Sequence, residues 1–314
     1  MGRVRRSFTR SGGPTFPGAL VLVVAVVAAL CANALARAGS PVATDRSVKL
    51  DLIAKLKQAP EVLILGDSRG RQAEPSFLQR LTGHTGFNAA VTGGSAPDAW
   101  VFARYTAERF PGRKRGYIWF VSAGLATDIV DPRLRADPRG RRYLQEVAPY
   151  LSTQTITVPW STDTHYRTDG SLPGAPSKPS RELVMKVKAE AARMVEGIRR
   201  HPPTASPPDL ARYRLFEHAL AYMNARGERP VIVFNPVYPT VFAELEKYGR
   251  PLATASLDYL HGLSARSDFV VVDCEDIRKW GGTDYDWTNA THVNRANMRR
   301  MLKYIVANSD GALK

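Results

Sequence analysis

The chain has 314 residues and a formal net charge of +15, with 44% hydrophobic and 23% charged residues. These ordinary proportions exclude disorder of the whole chain, and the length suits one large domain or one domain with a sizeable insertion. Only two cysteines are present, Cys31 in an apolar segment and Cys274 in a strand-like run, which excludes a disulfide framework.

Residues 1–15 form a basic N-terminus, with Arg3, Arg5, Arg6 and Arg10 and no acid. "FPGALVLVVAVVAALCANALA", 16–36, follows without a charged residue. At a rise of about 1.5 Å per residue, a helix of this length spans a hydrocarbon core of about 30 Å. The preceding arginines favour a cytoplasmic N-terminus with the body of the chain outside. A single-pass membrane anchor is therefore expected. The small residues of "ANALA" leave a cleaved signal peptide as the alternative, and either way the body is exported. Five of the positive charges are arginines at or before Arg37, so the exported part stays strongly basic. Such a domain suits an anionic envelope polymer or lipid headgroups, whereas nucleic acid is a poor partner outside the cytoplasm.

Residues 37–46 are expected to be a linker, and 47–314 one domain. "SVKLDLIAKLKQ", 47–58, spaces Val48, Leu50, Ile53 and Leu56 as a helix would. "EVLILGD" then reads as a buried strand, followed by "GFNAAV" (86–91), "RGYIWFVSAG" (115–124), "RPVIVFNPVYP" (229–239) and "SDFVVVDCED" (267–276). Helical segments fall at 74–82, 97–110, 209–226, 240–264 and 294–308. Continuously apolar strands alternating with helices predict a parallel five-stranded sheet in a three-layer α/β/α fold. The stretch 131–208, rich in Pro, Arg, Ser and Thr, breaks that rhythm and reads as an insertion holding one helix, 181–200. Its densest basic part, "RLRADPRGRR" at 133–142, reads as a solvated loop.

Open parallel sheets bind ligands beyond the carboxyl ends of their strands. Four polar features fall there: "GDSRG" after the first strand, "TGGS" after the second, "SAGLATD" after the third and "DYDWTNATHVN" after the fifth. Ser68 alone is an ordinary turn residue, and His292 alone could cap the last helix. Together with Gly93 they satisfy what a serine nucleophile needs. Ser68 would attack, His292 would act as base, and the N–H groups of Ser68 and Gly93 would receive the oxyanion.

"GDS", "NAAVTGG" and "ATHVN" together resemble the SGNH (GDSL-type) hydrolases, over most of 60–308 outside the insertion. The resemblance implies a flavodoxin-like fold and ester hydrolysis or acyl transfer; no cofactor is expected, and no metal, since His84, His165, His201, His218 and His261 show no metal-ligand spacing. It assigns Ser68 as nucleophile and oxyanion donor, Gly93, five residues after Asn88, as a further donor, and His292 as base. Two departures stand out. "SAGLATD" lacks the asparagine of the third block, where Ser122, Thr127 and Asp128 are the nearby polar residues. Asn289 stands three residues before His292, where the family has aspartate. Asp286 is the first choice to orient the histidine, with Asn289 second and Asp284 also in reach. Gly94 is placed at the substrate, and so is Arg69, for which the family offers no fixed role and whose readings are an anionic-substrate contact or a solvent-facing side chain. Divergent membrane-anchored members of the family imply an ester-bearing envelope glycan or lipid as substrate. The alternative is a catalytically impaired glycan-binding or envelope-assembly protein.

"DCED", 273–276, reads as a solvated strand end rather than a metal site. The tryptophans read mostly as core, with Trp160 and Trp287 the two a sugar site would use.

Overall fold

A computed structural model describes residues 44–122, 128–154, 165–173, 179–204 and 210–313. The expected anchor at 16–36 and Trp160 lie outside these residues. Among the described residues, no helix is long and apolar enough to cross a membrane.

The elements alternate as the sequence pattern predicts. Helix α1 (Asp45–Lys55) leads into β1 (Val62–Gly66), a short 3-10 turn (Gly70–Gln72), α2 (Pro75–Thr82) and β2 (Gly86–Asn88). Helix α3 (Ala96–Arg109) precedes β3 (Gly116–Val121), followed by α4 (Pro132–Ala136), α5 (Pro138–Glu146) and α6 (Arg181–Arg200). Then come α7 (Arg214–Ala225), β4 (Pro230–Phe234), α8 (Pro239–Glu246), α9 (Pro251–Ser264) and β5 (Val270–Asp273). A two-strand ribbon, β6 (Trp287–Asn289) and β7 (His292–Val293), runs into the last helix, α10 (Arg295–Ala307).

The five main strands form one sheet in the order β2-β1-β3-β4-β5, and every pair is parallel. Alternate side chains feed opposite faces. Leu63, Leu65, Tyr117, Trp119, Ile232 and Phe234 pack in one core with α1, α3 and α7. Val62, Ile64, Ile118, Phe120, Val231 and Val233 pack in the other with α2, α6 and α10. Burial on both faces explains why these strands read as unbroken apolar runs.

Three details differ from the sequence reading. The first helix begins at Asp45, inside the expected linker. Thr44 caps it, accepting from Ser47 N–H at 3.2 Å, while Ser47 Oγ accepts from Thr44 N–H at 2.9 Å. The helix expected over 240–264 is two helices, because Arg250 adopts a left-handed conformation at φ +49° and Pro251 cannot continue an existing ladder.

The basic stretch 133–142 is helical rather than a solvated loop. Its "DPR" motif occurs twice, and each Asp caps the helix that its own Pro begins. Asp131 accepts from Arg133 N–H at 2.8 Å and Asp137 from Arg139 N–H at 2.9 Å. Each arginine also folds its guanidinium back onto that aspartate. Tyr143 and Leu144 of α5 are buried in the core beside α3, so the first part of the insertion belongs to a helical layer.

Candidate active site

The strand order reverses between β1 and β3, so their carboxyl ends open the crevice where such sheets hold ligands. Ser68 lies in the turn leaving β1. His292 begins β7, just before α10. The fold brings these two residues, 224 positions apart, to a 2.7 Å contact between Ser68 Oγ and His292 Nε2.

The other ring nitrogen settles the tautomer. His292 Nδ1 lies 2.9 Å from Asn289 Oδ1, and that same oxygen accepts the Thr291 N–H at 2.9 Å. A main-chain N–H only donates, so the atom it faces is the amide oxygen. An oxygen facing Nδ1 requires Nδ1 to carry the proton. Nε2 is then bare and accepts from the Ser68 hydroxyl. Thr291 Oγ1 stands 2.9 Å from both Nδ1 and Asn289 Oδ1, which closes the arrangement. Burial lowers the pKa of His292 below the ordinary histidine value, and the nearby Arg69 and Arg71 charges lower it further. Asp67 and Glu190 act in the opposite direction.

Asp286, the first choice as orienter, is turned away from the ring. Its carboxylate accepts from Thr283 Oγ1 at 2.8 Å, Asn294 Nδ2 at 3.1 Å and Arg300 Nη1 at 2.6 Å. Those bonds hold its pKa below the usual range against the effect of partial burial, and they tie the ribbon to α10. Asp284 pairs loosely with Lys188 at 3.9 Å. The ribbon decides between these residues. Its β6–β7 pairing sets Asn289 opposite His292 and leaves Asp286 before the ribbon.

Arg69 is a brace rather than an open anion contact. Its Nε donates to Thr291 O at 3.2 Å, and its Nη1 to Asp67 Oδ2 at 3.1 Å and to Ser122 Oγ. Ser122 Oγ in turn donates to Asp67 Oδ2 at 2.8 Å, and Asn235 Nδ2 does so at 3.0 Å. One carboxylate thus joins the ends of β1, β3 and β4, and Arg69 carries the link to the histidine loop. Asn235 was missed in the sequence, although a polar residue directly after the fourth strand obeys the rule that flagged the other strand ends. Thr127 lies outside the described residues. Asp128 stands 3.7 Å from the Arg212 guanidinium.

Gly93 has φ +60° and is exposed, a backbone state that favours glycine. Among the described residues, neither its N–H nor that of Ser68 is taken by a protein acceptor. Gly94, expected at substrate, has a packing role. A Cβ there would sit 2.2 Å from Gly66 O, so only glycine lets this loop lie against the end of β1. Asn88, at the end of β2, ties that strand to the 3-10 turn after β1, donating through Nδ2 to Gly70 O at 2.9 Å and Ala73 O at 2.7 Å.

Trp287 is buried in the core and donates to Thr283 O at 3.0 Å, so it lines no sugar site. The carboxylates of "DCED" are committed to cations. Glu275 pairs with Arg250, Asp273 with Lys279 at 2.6 Å, and Asp276 with Arg278 at 2.8 Å. Cys274 is fully buried, and burial raises its thiol pKa well above the ordinary value.

No family model matches the chain, and no curated protein matches its sequence.

Proposed function

We propose that the chain is a serine esterase or O-acyltransferase of the SGNH (GDSL-type) kind, acting through an acyl-enzyme on Ser68. The observation that carries the reading is the Ser68–His292 contact of 2.7 Å with Nδ1 held by Asn289. The strand order β2-β1-β3-β4-β5 is that of flavodoxin-like sheets, in which such a site falls at the carboxyl edge.

Ser68 Oγ attacks the ester carbonyl carbon as its proton passes to His292 Nε2. The carbonyl oxygen, now negative, is received by the N–H groups of Ser68 and Gly93. Collapse expels the alkoxide, which takes the proton back from Nε2, and the acyl group stays on Ser68. A water or an acceptor hydroxyl then repeats the sequence in reverse. Asn289 holds the tautomer but adds no negative charge, so the imidazolium is less stabilised than beside a carboxylate.

The basic N-terminus and the apolar run at 16–36 support an exported, membrane-anchored protein. In that setting the substrate is an ester of a cell-envelope glycan or lipid. The binding-protein alternative draws on one observation. Ser122, at the place of the third oxyanion block, has its hydroxyl committed to Asp67.

Labelling of the full-length chain with a fluorophosphonate probe tests the reading. A covalent adduct that disappears in Ser68→Ala and in His292→Ala is expected. A folded wild-type chain that takes no label leaves the glycan-binding or assembly role, and label that survives Ser68→Ala removes Ser68 as nucleophile.

A further inference from the structure

The Gly93 loop is gripped by a helix on its far side. Asp45, Arg46 and Lys49 lie on α1 and are fully buried. All three reach into the segment between β2 and the first turn of α3. Asp45 Oδ2 accepts the Thr92 N–H at 2.7 Å, and Arg46 Nη2 donates to Thr92 O at 3.1 Å. Lys49 Nζ donates to Ala90 O and, at 3.4 Å, to Asn88 Oδ1. Arg46 also holds the Asp98 carboxylate through Nε at 2.6 Å and Nη2 at 3.1 Å, and its Nη1 lies 3.2 Å from Asp131. Asp98 in turn caps α3 by accepting the Ser95 N–H at 3.0 Å. The Thr92 hydroxyl accepts from Arg71 Nη1 at 2.7 Å. Both main-chain groups of Thr92 and its side chain are therefore fixed, and the next residue is Gly93.

Burying charge costs more than burying an apolar side chain of similar size, even when the charge is paired. Leu50 and Ile53 already anchor α1 in the core. The buried charges thus call for a reason other than packing, and their shared target is the main chain beside the oxyanion donor.

We propose that Asp45 and Arg46 are positioning residues that fix the Thr92 peptide groups and so aim the Gly93 N–H at the developing oxyanion. This rests on the catalytic reading above. A donor stabilises the oxyanion only when held within about 2.7–3.1 Å of where that oxygen will be. Glycine has no conformational preference of its own to hold that aim. Neither residue touches substrate.

Turnover of p-nitrophenyl acetate by the full-length chain tests this, with Ser68→Ala as the baseline. Asp45→Ala and Arg46→Lys are each expected to lower kcat about 10- to 100-fold while KM stays within about twofold. Asp45→Asn keeps an oxygen for the Thr92 N–H and is expected to recover part of the loss. Equal kcat in folded Asp45→Ala and wild type, against Ser68-dependent turnover, overturns the inference alone. A loss that merely tracks the folded fraction, counted by circular dichroism, also overturns it. Arg46→Lys retains the buried charge without the fork, so it decides the matter where Asp45→Ala does not fold. If Ser68→Ala turns over as fast as wild type, the catalytic reading falls and this inference falls with it.

Discussion

The two edges of the sheet hold their polar groups in opposite states. At the carboxyl edge Asp67, Arg69, Ser122, Asn235 and Thr291 are bonded to one another, and the Ser68–His292 pair sits inside that lattice. At the amino edge an open cavity of about 790 Å³ is lined by Lys57, Glu61, Thr85, Arg109, Arg113 and Lys114. Lys57, Arg113 and Lys114 are exposed there, and among the described residues none of them is in an ion pair. A group of unpaired exposed cations therefore lies away from the candidate chemistry. Fixed geometry rather than charge density distinguishes the edge that holds the candidate pair, because a catalytic group acts only when its partners hold it in place.

The comparison breaks most sharply at His292. His292→Ala is expected to lower Ser68-dependent ester turnover on the order of 10³-fold or more, since both proton transfers lose their carrier. A residual rate within tenfold of wild type would show that the carboxyl edge is not organised around this pair. Asn289→Ala comes next, with an expected loss of about 10²-fold, because the other group at Nδ1, the Thr291 hydroxyl, can donate as well as accept and does not fix the tautomer. Asp286→Ala separates orientation from support. Its three bonds go to Thr283, Asn294 and Arg300, so turnover is expected to change little. Unfolding in urea should show a loss of about 1–2 kcal/mol. Larger losses of turnover in Asp286→Ala than in Asn289→Ala would reverse the assignment.

The choice between Asp286 and Asn289 also marks how far the sequence could be read. Four strands were legible as apolar runs and β2, Gly86–Asn88, more weakly from its place between two helices, while Ser68, Gly93 and His292 stood out as candidates because they follow strands or precede the last helix. Which loop residue faces His292 Nδ1 was not legible. The answer depends on the β6–β7 pairing and on Arg300, one turn into α10, drawing Asp286 aside. Asp45 and Arg46 were hidden for the same kind of reason. A charged pair at a helix start reads as solvated, and its partners Asp98 and Asp131 lie far along the chain. The helices of 132–146 were obscured by their arginines, of which Arg133 and Arg139 are matched by Asp131 and Asp137. Arg69 read as an anion contact or a solvent-facing side chain because local sequence cannot reveal that Thr291 O and Ser122 lie within its reach.

A smaller effect concerns pH. His292 must be neutral to accept the Ser68 proton, so kcat/KM falls as pH drops through its pKa. Burial and then Arg69 hold that pKa below the ordinary histidine value. Arg69→Gln removes a positive charge and leaves Asp67 less neutralised, and both changes favour the imidazolium. The acid limb of the kcat/KM profile is therefore expected to move to higher pH. Asn289→Asp is expected to move it the same way by placing a carboxylate at Nδ1. A limb that stays in place or moves to lower pH in both variants would remove His292 as the titrating base.

The smallest expected effect belongs to the amino edge. Lys57→Ala, Arg113→Ala and Lys114→Ala together remove three exposed cations from the cavity rim. The Arg113 carbonyl, which accepts from Arg115 Nη1 at 3.1 Å and Arg226 Nη2 at 3.2 Å, is a main-chain group and is kept. Each substitution is expected to change stability by no more than about 0.5 kcal/mol. Turnover of p-nitrophenyl acetate should match wild type, because the neutral ester reacts at the other end of the strands and surface charges this far apart are screened at ordinary salt. A tenfold fall in kcat would show that the two edges communicate through the strands, and fixation at the carboxyl edge would no longer suffice to explain the site.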